Sequence, residues 1–181
     1  MSTIDILLSL GGKIADVLML FIKKGAGKQE KETAETLIKQ YNQLKENQEQ
    51  IEDTVKNYNQ GIIQAITSRS VEPLFHLCTP QGYEHVKQLY SQYLGQGIRS
   101  LVLEDFEILS VNLLTHKVET QKAGSLSEIS DHHAHVYSRG KWISIYSKGP
   151  RDTSDVINRY LLILENGNWK IDSAEVYTRS D

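Results

Sequence analysis

Arg159-Tyr160-Leu161-Leu162-Ile163-Leu164-Glu165, then Asn166-Gly167, then Asn168-Trp169-Lys170-Ile171 and on to Tyr177: the reading of this stretch decides the fold. The first run is rich in β-formers, and Asn-Gly supplies the two positive-φ positions of a tight two-residue hairpin loop. Trp169 and Ile171 are spaced two apart on the return. Two strands alone are marginal in water, so the residues upstream must supply both more sheet and a cover for it.

Immediately before the hairpin, Lys148 to Asp155 reads as a polar loop. His132 to Ser138 and Trp142 to Ser147 read as strands, with a turn expected at Arg139-Gly140 between them. Val118 to Ile129 is less patterned, with Ala123-Gly124 as its turn. From Arg99 to Leu113 the apolar residues keep a period of two but slip phase. Leu101 and Leu103 point one way, Phe106 and Ile108 are out of step with them, and Leu109, Val111 and Leu113 shift again. Slips inside one run predict a bulged, strongly bent strand.

Earlier the period is helical. Ala34, Leu37, Tyr41, Leu44, Gln48, Ile51, Val55, Tyr58, Ile62 and Ala65 alternate by threes and fours over Glu32 to Thr67, which is a heptad seam. It fits a long amphipathic helix whose second half covers the sheet, or a parallel coil between two copies. Val71 to Cys78 reads as a short helix, and Thr79-Pro80 supplies an N-cap and first-turn proline for a helix over Gln81 to Leu94.

Thr3 to Ile22 is apolar around most of a helix, with Leu7, Leu10, Ile14, Leu18 and Phe21 outward of a narrow polar stripe and Lys23, Lys24 and Lys28 following. As a membrane span it would carry Lys13 and Asp16 near mid-bilayer at roughly 2.5 to 3.5 kcal/mol each. The positive charge follows the apolar run rather than preceding it, unlike a secretory signal. A helix folded back on its neighbour, an interfacial helix with lysines at head groups, and a span all remain open. Gly25-Ala26-Gly27-Lys28 is no phosphate loop, because Ile22 stands where the first glycine belongs and Gln29 where a Ser or Thr belongs.

Helices followed by antiparallel strands make an α+β chain: an N-terminal helical arm or hairpin over 1–49, its linker at 25–31, then a domain over 50–181 with three helices packed on a curved sheet. Tyr160-Leu161-Leu162 with Gly167-Asn168-Trp169-Lys170-Ile171, after a bent meander and three helices, resembles the cone-shaped nuclear-transport-factor-two-like and ketosteroid-isomerase-like superfamily. Ile108-Leu109-Ser110-Val111 and Glu128 to Tyr137 are similar to the intermembrane-space domain of plastid-division J-like proteins and their cyanobacterial relatives. The resemblance implies either a binding and scaffolding module at a membrane or, as the alternative, a small-molecule isomerase or dehydratase.

Composition narrows the partners. Twenty Lys and Arg against 23 Asp and Glu, a net charge of −3, give no basic footprint for nucleic acid. Cys78 is the one cysteine, so neither an intramolecular disulfide nor a thiolate zinc site can form. No cofactor is expected, and the location expected is cytoplasmic or peripheral on a membrane. His133 and His135 share a strand face with Tyr137, a pair that could contact a partner or, with a third ligand such as Asp131, a metal. Trp142, Tyr146 and Tyr160 are the expected lining of a cone mouth or sheet face that takes a peptide or an apolar ligand. Acid–base candidates are Tyr83, Asp105, Glu107, His116 and Asp172, whose spacing selects no pair. The expected partners are a protein or peptide, a membrane surface, or a second copy of the chain.

Overall fold

The computed structural model of the chain describes residues 28–122 and 125–177. The apolar segment Thr3 to Ile22, with the arm residues Leu7, Leu10, Ile14, Leu18, Phe21, Lys23 and Lys24, lies outside the described residues, as does the Ala123-Gly124 turn. The chain divides into two compact units, Met1–Glu49 and Gln50–Asp181.

Helix α1 runs Lys28–Ser68 and takes in the end of the stretch read as a linker. Its seam residues Ile51, Val55, Tyr58, Ile62 and Ala65 are all buried, so the second half of the heptad pattern is the sheet-covering face. A 3₁₀ helix, Glu72–Leu77, buries Leu74 and is followed by α2, Pro80–Gly95. Thr79 caps α2 as its type predicts, its side-chain oxygen accepting from the Gly82 N–H at 3.0 Å.

Four strands follow, β1 Ile98–Lys122, β2 Ser125–Tyr146, β3 Asp152–Glu165 and β4 Asn168–Tyr177, antiparallel in the order β1-β2-β3-β4. The β3–β4 turn has Asn166 at φ 51° and Gly167 at φ 79°, the left-handed pair expected of Asn-Gly. Register shifts in β1 fall at Ile98/Ser100, Glu104/Glu107 and Ile108/Ser110, two of them where the apolar phase slips. Helices laid across one face of a bent antiparallel meander are the α+β cone implied by the resemblance.

Two sequence expectations are corrected. Arg139-Gly140 is not a turn: both residues stay inside β2, paired on one side with β3 at Ile157 and Val156, and Arg139 with Glu107 of β1 on the other. Glycine stands there because the Leu103 side chain packs where a Cβ would project, a use of glycine in a strand that mimics a turn signal in sequence. The polar loop is also shorter than read, since β3 begins at Asp152.

Candidate functional site

Inside the cone, the sheet meets the helices over an apolar core that holds one buried polar cluster. Tyr160 of β3 donates from its hydroxyl to Asn59 Oδ1 of α1 at 3.0 Å, and its ring stands edge-on to Tyr58, centroids 6.0 Å apart. Ser138 and Asn158 complete the buried polar set on the sheet. Burial pushes the Tyr160 phenol up, its hydrogen bond to Asn59 acting the other way, and burial raises Tyr58 further still, aided by Cys78, Tyr160 and Tyr93. Both phenols are therefore neutral at physiological pH, Tyr160 as the donor to Asn59. The void between α1 and α2, walled by Ile62, Val86 and Tyr90 among others, is too small for a water molecule.

Cys78 is buried at the junction of the 3₁₀ helix and α2, bridged in parallel to Ile171. Burial pushes its thiol up to about 12, with Lys170 pulling slightly down. The thiolate is the nucleophile, so the folded protein is expected to resist an aromatic disulfide reagent at mildly alkaline pH and to react once unfolded in urea. Rapid native labelling would contradict the placement of this side chain.

The sequence candidates separate in space. Tyr160 is 1% exposed and serves the core rather than a ligand-facing surface. Trp142 and Tyr146 are half-buried and pack against the core cluster. His133, His135 and Tyr137 are half-buried and alternate with buried Ala134, Val136 and Ser138, so they share the face turned away from the helices. Among the described residues no third His, Cys, Asp or Glu joins that pair into a metal-holding group. Asp172 accepts from Thr79 Oγ1 at 2.7 Å and clips the start of α2 to β4. Tyr83 stands edge-on to Phe75 at 5.2 Å, with the Lys87 ammonium over its ring. His116 lies in β1, and its side chain falls outside those described.

Asp105 and Glu107 are brought together with residues that sequence reasoning did not single out. At the bulge, three consecutive residues from each of β1, β2 and β3, centred on Phe106, Gly140 and Val156, line an open groove of about 880 Å³. Asp105 takes φ 52° there, which aims it toward Lys141 Nζ at 3.3 Å. Arg139 donates to Glu107 Oε2 from Nε at 2.7 Å and from Nη2 at 2.6 Å. Lys141 is raised above its ordinary value by the hydrogen bond and charge of Asp105 and then by Asp155, so its ammonium stays charged across neutral pH. Phe106 and the exposed Ile157 add apolar surface beside these pairs. The signal that could have found the groove was the phase slip between Leu103 and Phe106, because bulges re-aim side chains.

No protein-family model matches the sequence, and no curated protein matches it. Among solved structures the chain is similar to a scytalone dehydratase-like protein from Novosphingobium aromaticivorans DSM 12444, at 16% identity and a TM-score of 0.49, over 74% of this chain and 85% of that one. It is also similar to the intermembrane-space region of the chloroplast protein ARC6, at 15% identity and a TM-score of 0.44, over 71% and 95%. A designed protein of the nuclear-transport-factor-two-like type matches at 12% identity and a TM-score of 0.40, over 70% and 98%. These are likenesses of architecture.

Proposed function

We propose that the chain is a non-enzymatic binding module that holds a peptide segment in the groove at the β1 bulge, with the apolar N-terminal segment as its anchor on a membrane surface or partner. The observation that carries the reading is the contrast between two spaces. The space between α1 and α2 admits no water, whereas the groove at the bulge offers about 880 Å³ with apolar surface beside ion pairs. Apolar anchors framed by polar rims are how peptide surfaces work, the anchor supplying affinity and the rim fixing register. Ile157 is the exposed apolar residue on the β3 side of the groove, next to the Glu107–Arg139 pair, with Asp105–Lys141 beyond it. A small-molecule isomerase or dehydratase would instead need the Tyr160–Asn59 cluster to open around its substrate.

The anchor reading draws on Leu7, Leu10, Ile14, Leu18 and Phe21 with Lys23 and Lys24, a pattern suited to the interface between head groups and acyl chains. No helix among the described residues is long and apolar enough to cross a membrane.

The test is a peptide-display selection on the full chain, repeated on Ile157→Asp, which puts a charge on the groove floor from an exposed position. Enriched peptides are expected to share an apolar residue and to lose binding to the variant, with its melting unchanged. Peptides that bind the variant equally, or catalytic turnover of a small cyclic enone or alcohol by the full chain, would overturn the reading. Flotation with anionic vesicles, full chain against a chain beginning at Lys31, tests the anchor: only the full chain is expected to float.

A further inference from the structure

The groove at the β1 bulge carries its charges in two rows across the sheet. Glu107, Arg139 and Ile157 are register partners on β1, β2 and β3, and so are Glu104, Lys141 and Asp155. In the first row one cation meets one carboxylate, Arg139 with Glu107. The second row is not balanced. Lys141 stands between Glu104 on β1 and Asp155 on β3, and it also meets Asp105 of the bulge at 3.3 Å, three carboxylates to one ammonium. All three raise Lys141, Asp105 most. Among the described residues Asp155 forms no direct ion pair, and the next cation along β3, Arg159, is held by Glu175 at 2.6 Å.

This surplus lies beside the apolar surface. Asp155 and Ile157 are both exposed and two residues apart on β3, with buried Val156 between them, so their side chains leave one face of the strand about 7 Å apart. An extended chain laid along β3 has the same repeat. Side chains two positions apart in it therefore fall opposite Asp155 and Ile157 in turn. Resting on the reading of the groove as a peptide site, we infer that its ligand is a basic, extended peptide with a Lys or Arg two positions from an apolar residue, the cation pairing with Asp155 and the apolar side chain packing on Ile157. The attraction is that of solvent-exposed charges, so it steers approach and fades with salt.

The test sequences the peptides that the full chain selects from a random display library and measures the best of them by calorimetric titration. A Lys or Arg is expected two positions from the shared apolar residue. Asp155→Asn removes the charge at nearly constant shape and is expected to weaken that peptide about threefold, and Asp155→Lys about tenfold, the scale of exposed ion pairs, with melting unchanged. Glu72→Gln makes the same change of charge on the exposed part of the 3₁₀ helix and is expected to leave the affinity as it is. Added salt is expected to weaken the parent more than Asp155→Lys. Ile157→Asn removes apolar surface without adding charge and is expected to weaken every selected peptide. Peptides that bind Ile157→Asn as well as the parent, or a selection that enriches nothing, would overturn the groove as a site and the basic ligand with it. Peptides that lose Ile157→Asn yet carry no cation at that spacing, bind Asp155→Lys undiminished, or weaken as much with Glu72→Gln as with Asp155→Asn would leave the groove standing and overturn the basic ligand alone.

Discussion

Tyr160→Ala is expected to cost about 4 kcal/mol of stability, within the range found when large aromatics are removed from cores. The ring is among the largest fully buried side chains of the chain, and it links β3 to α1 through its edge contact with Tyr58 and its bond to Asn59. Truncation leaves a cavity between rigid elements and a buried amide oxygen with no donor. Tyr160→Phe separates these effects. It keeps the ring and removes only the hydroxyl, so the loss should fall to about 1 to 3 kcal/mol, the cost of stranding a buried acceptor. If the stranded Asn59 is the cause, adding Asn59→Leu to the Tyr160→Phe variant should recover part of that loss, because replacing both partners by apolar groups is far less costly than removing one. Urea midpoints at constant slope read all three. A phenylalanine variant as unstable as the alanine one would show that the hydrogen bond, and not the packing, holds helix to sheet.

Much of this architecture was legible in the sequence because local signals and tertiary demands agreed. Asn166-Gly167 forms the turn it advertises, and Thr79-Pro80 starts the helix it should. The α1 seam from Ile51 to Ala65 is buried without a slip. Phase slips in β1 announced the bulges, although no local rule told which side chains they would gather into a groove. Arg139-Gly140 misled for a physical reason: a glycine set in a strand to admit Leu103 looks the same, from sequence, as one set in a turn. Tyr160 misled differently. Its strand phase placed it on one of two faces, but only the Asn59 partner 101 residues away makes that face the interior.

Gly82→Ala is expected to destabilise the fold by roughly 3 kcal/mol, the upper part of the range for overpacking, although alanine is the better helix former. Gly82 sits in the first turn of α2, buried, and a Cβ there would run into the backbone carbonyl of Ile171, with the Asp172 carbonyl 3.1 Å away. Main chain cannot swing aside as a side chain can, and this stretch of β4 is held on several counts. The Thr79 N–H donates to the Ile171 carbonyl at 2.9 Å, Thr79 Oγ1 donates to Asp172, and Cys78 bridges Ile171. Inserting a methyl therefore pries the start of α2 off the sheet edge and strains its cap together with its clip. Gly95, at the far end of the same helix, has nothing within 4 Å of where a Cβ would stand. There the intrinsic preference acts alone, and Gly95→Ala should stabilise by about 0.5 kcal/mol. Opposite signs for one substitution at two ends of one helix, read as shifts in denaturation midpoint, isolate the close approach of α2 to β4 as the cause. A Gly82→Ala variant as stable as its parent would mean that the helix does not rest on the Ile171 carbonyl.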